Sequence, residues 1–268
     1  MNSATSDENA DDDTSDTSFD TDDEIDDKQI SPALEPCIGQ QSNQNEPQLF
    51  DFSENWSKQS SLPLCILTNA RSVYNKQMSL REILRQICPS LILISETWER
   101  ENEKLDIVIK NTPYNYLSFY RKNRSPGGGC AIFVNEKQFH MNTPDIIVPA
   151  EVEAVWAIIT QKTPQNHRVK RIAVGSIYVS PRSRHKDQTI EHIIQTIHIL
   201  RAQFDNDINF LVGGDFNKLN ITEVLDCHGG LNQVISLPTR KSATLDILLT
   251  DLHTLYHPPH HTSPSGGG

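Results

Sequence analysis

The run Ile208-Asn209-Phe210-Leu211-Val212, followed at once by Gly213-Gly214-Asp215-Phe216-Asn217, constrains this chain more than any other stretch. A short apolar run bounded by glycine has the pattern of a buried strand. Two glycines before Asp215 let the backbone turn sharply and leave space beside it. If extended backbone continues past the strand, Asp215 and Asn217, two residues apart, face one cleft. A carboxylate and a carboxamide at a strand end suit a phosphate or a metal ion. An Asp-x-Asn pair in that place is also a common turn, so its weight rests on the company it keeps.

The chain has 268 residues and a formal net charge of -11, but the charge is unevenly spread. Residues 1–30 hold 12 acidic residues against one Lys, leaving 23 acidic and 23 basic residues in the remainder. The acidity is therefore a property of the tail, and the rest of the chain is formally neutral. Residues 1–60, rich in Asp, Ser, Thr, Gln and Asn, have almost no apolar periodicity and read as a disordered acidic and polar tail. A solvating segment or a polyprotein remnant explains it more simply than an interaction arm does.

Residues 61–268 read as one domain without internal repeats. Expected strands cover 64–68, 91–95, 130–134, 155–160, 172–179, 210–212 and 245–250. Two segments have helical period instead: Leu80, Ile83, Leu84, Ile87, and Ile190, Ile193, Ile194, Ile197, Leu200. A helix between the first two strands predicts a βαβ start, and the strands from Cys130 to Val179 predict antiparallel meanders. About 200 residues suffice for one core of that kind.

Five well-separated cysteines (Cys37, Cys65, Cys88, Cys130, Cys227), with no Cys-x-x-Cys pair, predict reduced thiols. No apolar stretch is long enough to span a membrane, and the acidic N-terminus is unlike a signal peptide. The expected location is nuclear or cytoplasmic, with no membrane partner.

Polar residues interrupt the apolar pattern at strand ends in five places: Asn69, Glu96, Tyr178, Asp215 with Asn217, and Asp246. Buried polar groups are costly, so such interruptions mark candidate sites. Three carboxylates, two carboxamides and a phenol are a poor set for zinc. They suit a hard cation such as Mg²⁺, with water and substrate phosphate completing its shell. The chemistry suggested is phosphoester hydrolysis, with a carboxylate orienting the attacking water.

The same residues lie in ordered motifs: Asn69-Ala70-Arg71-Ser72-Val73 with Asn75-Lys76, Ser95-Glu96-Thr97-Trp98, Gly127-Gly128-Gly129-Cys130-Ala131-Ile132-Phe133-Val134, Tyr178-Val179-Ser180-Pro181, Gly214-Asp215-Phe216-Asn217 and Thr244-Leu245-Asp246. In this order they resemble the endonuclease/exonuclease/phosphatase superfamily, and within it the apurinic-endonuclease-like domain of non-LTR (LINE-type) retrotransposons. The resemblance covers roughly Leu62 to the C-terminus.

It implies a four-layer α/β sandwich of two mixed β-sheets flanked by helices. It further implies an endonuclease that nicks double-stranded DNA with Mg²⁺ or Mn²⁺. Glu96 would bind the metal beside Asn69, Asp215 would activate water, and Asn217 and Tyr178 would contact the scissile phosphate. Asp246 would orient a histidine. Arg71, Asn75, Lys76, Arg182 and Thr244 would contact the nucleic acid.

In the family that histidine belongs to a terminal Ser-Asp-His motif on the last strand, which is absent from this sequence. His253, His257, His260 and His261 lie nearby in a Pro-rich segment. The resemblance thus implies a domain that ends before its last strand, with an incomplete catalytic set and weak or no activity. Losing an edge strand would also subtract from a small net stability.

Two other readings stay open: a phosphatase or phosphodiesterase of the same superfamily acting on a small molecule or lipid, and a catalytically silent nucleic-acid-binding or interaction fragment. Gly127-Gly128-Gly129 lacks P-loop spacing and reads as a turn into the following strand. Arg121, Lys122, Arg124, Arg168, Lys170, Arg171, Arg182, Arg184 and Lys186 fit either a nucleic-acid backbone or solvated loops. Trp156, inside a strand pattern, reads as core. Trp98, at a strand end, is open to a stacking role.

Overall fold

The computed structural model describes residues 50–51, 62–101, 104–122, 127–163, 169–227, 230–239, 243–256 and 260–261. In chain order the elements are β1 (Phe50–Asp51), β2 (Cys65–Asn69), α1 (Val73–Gln86), β3 (Leu91–Ser95), α2 (Asp106–Ile109), β4 (Tyr114–Phe119), β5 (Cys130–Asn135), β6 (Phe139–Asn142), β7 (Glu153–Gln161), β8 (Arg171–Tyr178), α3 (Lys186–Gln203), β9 (Asn209–Asp215), α4 (Thr222–Cys227), β10 (Asn232–Gln233), β11 (Asp246–Thr250) and β12 (His260–His261), with a 3-10 turn at His253–Leu255.

Two mixed sheets carry the domain. One has the order β2-β3-β5-β4 and the other β10-β11-β9-β8-β7-β6. β2 and β3 pair in parallel around α1, as the βαβ pattern predicted, and β8 pairs in parallel with β9 around α3. The remaining pairings in both sheets are antiparallel. The predicted meander is real for β6, β7 and β8, whereas the strand at Cys130 belongs to the other sheet.

Side-chain alternation accounts for the layering. Leu67, Leu93, Ile132 and Val134 of the first sheet meet Ala157, Ile159, Val174, Leu211 and Leu248 of the second in one apolar cluster. Alternate residues turn outward. Ile66, Ile92, Ile94 and Phe133 pack with Val73, Leu80 and Leu84 of α1 and Val108 of α2. Ala154, Trp156, Phe210 and Val212 pack with Ile190, Ile193, Ile197 and Leu200 of α3 and Val224 of α4. Three apolar interfaces separate four layers, which is the expected sandwich.

The elements extend beyond their periodic cores. α1 starts at Val73, where the Ser72 hydroxyl accepts from the Asn75 backbone N–H at 3.4 Å and so caps the helix. Ile87, expected on its buried face, lies past the helix end and is exposed. β9 runs to Asp215 because β8 and β11 pair with it from both sides, carrying Gly213 and Gly214 inside a strand rather than at a turn. Gly214 has φ +152°, and a Cβ there would lie 1.8 Å from the Ile177 carbonyl oxygen. The glycine thus serves close approach of two strands.

β4 and β6 escaped the periodicity reading: β6 is four residues long and half of it is His and Asn. Cys65 and Cys130 are buried, and Cys88 and Cys227 are exposed, all as free thiols; Cys37 lies outside the described residues. Burial pushes the Cys65 thiol up to about 12. Within the stretch read as tail, Phe50–Asp51 pairs antiparallel with His260–His261, and the rest of 1–60 lies outside the described residues. Among the described residues no helix is long and apolar enough to cross a membrane.

Candidate active site

Strand register gathers the candidate residues at one end of the gap between the sheets. In the six-stranded sheet Glu153 lies opposite Tyr178, Tyr178 opposite Asp215, and Asp215 opposite Asp246. Residues in register share a sheet face. Counting back by twos from each reaches the residues that pack against the first sheet, so the whole row faces inward. In the four-stranded sheet Asn69 lies opposite Ser95, on the same inward-facing parity.

Hydrogen bonds tie the two rows together. Asn69 Nδ2 donates to Glu96 Oε1 at 2.8 Å and to Asp215 Oδ2 at 2.7 Å. The Asp215 backbone N–H donates to Ser95 Oγ at 2.9 Å. Asp215 itself is fully buried, and its Oδ1 accepts from the Asn217 backbone N–H at 3.0 Å. A single carboxamide thus presents one donor to each of two carboxylates, offsetting the cost of holding them close.

Asn217 departs from the extended backbone expected of it. Its φ is +48°, which swings its side chain so that Nδ2 donates to the Val179 carbonyl at 2.7 Å. It therefore pins the segment that follows Tyr178. Glu96 and Trp98 also occupy the left-handed region, at φ +52° and +53°. For a tryptophan this is uncommon and marks a segment held by its surroundings. The Trp98 indole N–H donates to Glu96 Oε2 at 3.3 Å, while its backbone N–H donates to the Gly128 carbonyl at 3.0 Å. With 39 % of its surface exposed, Trp98 stands at the rim.

Tyr178 is 8 % exposed, and its hydroxyl is pushed up to about 12, first by burial and then by the carboxylates of Glu96, Asp215 and Glu153. Arg121 opposes the shift from 5.9 Å over the ring. The phenol is therefore protonated at neutral pH and available as a donor.

The Glu96 and Asp215 carboxylates offer oxygen donors that fit a hard divalent cation rather than zinc, while Asn69 turns its amide nitrogen to both of them and its Oδ1 to the Arg71 N–H. Each Glu96 oxygen accepts one hydrogen bond and keeps a lone pair for a cation. The described residues contain no cluster of three His, Cys, Asp or Glu that would make a closed protein cage.

The expected nucleic-acid residues divide. Arg71 and Asn75 are exposed and Lys76 half-buried around the start of α1, beside Asn69; the Arg71 backbone N–H donates to Asn69 Oδ1 at 3.2 Å. Arg182, with Arg184, is exposed on the loop after Tyr178. Thr244 is turned to its own loop, its hydroxyl donating to the Leu237 carbonyl at 3.0 Å. Lys170 and Arg171 sit at the opposite end of β8 and pair with Asp207 at 2.9 and 3.4 Å, away from the site.

His253 does not substitute for the expected histidine. β11 carries the chain from Asp246 at the site to Thr250 at the far end, and His253 follows there, its Nδ1 2.9 Å from Asn232 Nδ2. His257 lies outside the described residues, and the backbone of His260–His261 forms β12. Sequence reasoning missed Ser95 and Glu153. Ser95 stood in the Ser95-Glu96-Thr97-Trp98 motif without being given a role, and Glu153, which opens a strand as Asn69 closes one, stood in no motif.

No protein-family model matches the chain, and no curated protein matches it in sequence. Solved structures are similar to it. The human Nocturnin catalytic domain with bound sulfate anion is 12% identical, with 70% of this chain and 84% of that chain covered and a TM-score of 0.48. ANGEL2, a 2',3'-cyclic phosphatase, in complex with adenosine-2',3'-vanadate is 13% identical, with 66% and 75% covered and a TM-score of 0.49. The endonuclease/exonuclease/phosphatase from Bacteroides vulgatus is 12% identical, with 66% and 79% covered and a TM-score of 0.47.

Proposed function

We propose that this chain is a metal-dependent phosphodiesterase that nicks double-stranded DNA, in the manner of the endonuclease domain of non-LTR retrotransposons. The observation that carries the reading is the Asn69 amide, which donates to Glu96 and Asp215 at 2.8 and 2.7 Å at one end of the inter-sheet gap. Two carboxylates kept close by one neutral donor are costly for folding and useful for phosphate chemistry.

In this reading Glu96, with Asn69 beside it, holds Mg²⁺ or Mn²⁺. The cation, when bound, supplies positive charge against the negative charge that develops on the phosphate oxygens. Asp215 orients the attacking water and accepts its proton. Tyr178, protonated, donates to a phosphate oxygen, and Asn217 keeps the loop behind it in place. Arg71, Lys76 and Arg182 contact the DNA backbone through charge and Asn75 through its amide, contacts that give affinity without sequence preference. Asp246, in register with Asp215, reinforces the acidic side of the site.

The test is nicking of supercoiled plasmid by the full chain with Mg²⁺, with an EDTA control and Asp215→Ala. The terminal histidine of the resembling family being absent from the sequence, the expected result is weak nicking that disappears in both controls. A folded protein that gives no Mg²⁺-dependent nicking, or an Asp215→Ala variant as active as its parent, overturns the reading.

A further inference from the structure

The row Glu153, Tyr178, Asp215, Asp246 contains one residue that the proposed chemistry leaves unused. Glu153 faces the site from β7, and both its oxygens are engaged. Oε1 accepts from Arg121 Nε at 3.0 Å and from an Arg121 terminal nitrogen at 2.6 Å, while Oε2 accepts from the Gly129 backbone N–H at 2.7 Å. Both side chains are largely buried, at 22 % and 13 % exposure. A planar guanidinium bound through two nitrogens is fixed in orientation as well as in place.

Arg121 is fixed against Tyr178, with its guanidinium carbon 5.9 Å from the ring centroid. The loop on the other side is built to admit the pair. Gly128 has φ +76°, and a Cβ there would lie 2.4 Å from Arg121 Nε and 2.5 Å from Glu153 Oε2. The Gly128 carbonyl in turn accepts from the Trp98 backbone N–H, and Trp98 donates to Glu96. A continuous set of contacts therefore joins Tyr178, Arg121, Glu153, the glycine loop, Trp98 and Glu96 around one rim. Arg121 stands in a basic stretch that suggested nucleic-acid backbone binding; its fork is instead directed inward at Glu153.

We propose that Arg121, oriented by Glu153, is a positioning residue for Tyr178, fixing the phenol where it meets the substrate phosphate. This deepens the reading of the site given above and rests on it for the catalytic consequence, though the placement of the ring does not. A surface ion pair would contribute little. A half-buried fork packed on a functional ring acts through geometry, where a small displacement costs a large factor in rate.

The experiment compares Arg121→Gln, Tyr178→Phe and the double variant in the full chain. Arg121→Gln is expected to lower kcat about tenfold with KM changed less than about twofold, and to add almost nothing in the Tyr178→Phe background. Independently of activity, ¹³Cζ-tyrosine NMR reads the ring itself. The resonance lost in Tyr178→Phe is expected to shift in Arg121→Gln, and Arg121→Lys, which keeps the charge without the fork, to shift it as well.

Equal loss of kcat in both backgrounds, or an unmoved Tyr178 resonance in a folded Arg121→Gln or Arg121→Lys protein, overturns the proposal. Should Arg121→Gln fail to fold, Arg121→Lys carries the same comparisons. If the parent protein shows no phosphodiesterase activity, the reading of function fails, and the resonance alone decides whether Arg121 places the ring.

Discussion

Asn69 and Asp215 stand 146 residues apart in sequence and 2.7 Å apart in space, the amide of one sheet donating to the buried carboxylate of the other. Asn69→Asp replaces that donor by a third acid. It is expected to destabilise the protein by roughly 3 kcal/mol at neutral pH, read by urea unfolding. The new carboxyl would have its affinity for protons raised by its neighbours, so the penalty is full when the acids are ionised. It shrinks as pH falls through the acid range and is gone near the ordinary aspartate value of about 3.9. A pH-independent loss would mean that packing rather than charge sets the cost.

Glu96 is only partly buried, and its oxygens face Asn69 and Trp98. Glu96→Gln is expected to leave the melting temperature almost unchanged while raising the Mg²⁺ needed for half-maximal nicking at least about tenfold. A magnesium titration of the plasmid assay checks this, and an unchanged midpoint would remove Glu96 from the cation site.

Gly214 is the least replaceable residue of β9. With φ +152° and Ile177 backbone where a Cβ would stand, Gly214→Ala is expected to cost more than about 4 kcal/mol or to yield insoluble protein. Thermal denaturation of the variant beside its parent gives the answer; a loss below about 1 kcal/mol would show that the two strands can separate cheaply.

His192 gives the fold a pH dependence unrelated to the active site. It is buried on α3, its Nε2 accepts from the Trp156 indole N–H at 3.0 Å, and burial lowers its pKa from 6.5 to about 4. The unfolded chain therefore binds a proton that the folded one refuses. The stability contribution is full above about 6.5 and is lost as pH falls towards about 4. His192→Gln keeps an acceptor for Trp156 without titrating, and is expected to flatten the stability profile over that window by on the order of 2 kcal/mol. Parallel profiles for parent and variant would assign the acid sensitivity elsewhere.

Much of this architecture was legible before any coordinates. The apolar runs at 91–95 and 172–179 and the helical spacing of Ile190, Ile193, Ile197 and Leu200 each mark an element with a wide buried face, and each formed nearly where expected. Short or half-buried strands were not legible. β6 carries as many polar as apolar residues, and β9 outgrew its apolar run because neighbours on both sides pair with it, which no local pattern records.

The site divides the same way. Polar residues at the ends of apolar runs identify Asn69, Glu96, Tyr178, Asp215 and Asp246 from sequence, because a buried polar group must have a partner and a strand end is where one is available. Sequence alone also determines the residue types, hence a chemistry of oxygen donors, a phenol and phosphate. Which donor meets which acceptor was decided only by the tertiary structure. Register put Glu153 beside Tyr178, and sheet packing brought Ser95 and Asn69 onto Asp215. The turn at Asn217 redirected its amide to Val179, and the far end of β11 carried His253 away from Asp246. Strand register and sheet spacing are set by the packing of the whole core, so these pairings have no local signature in the chain.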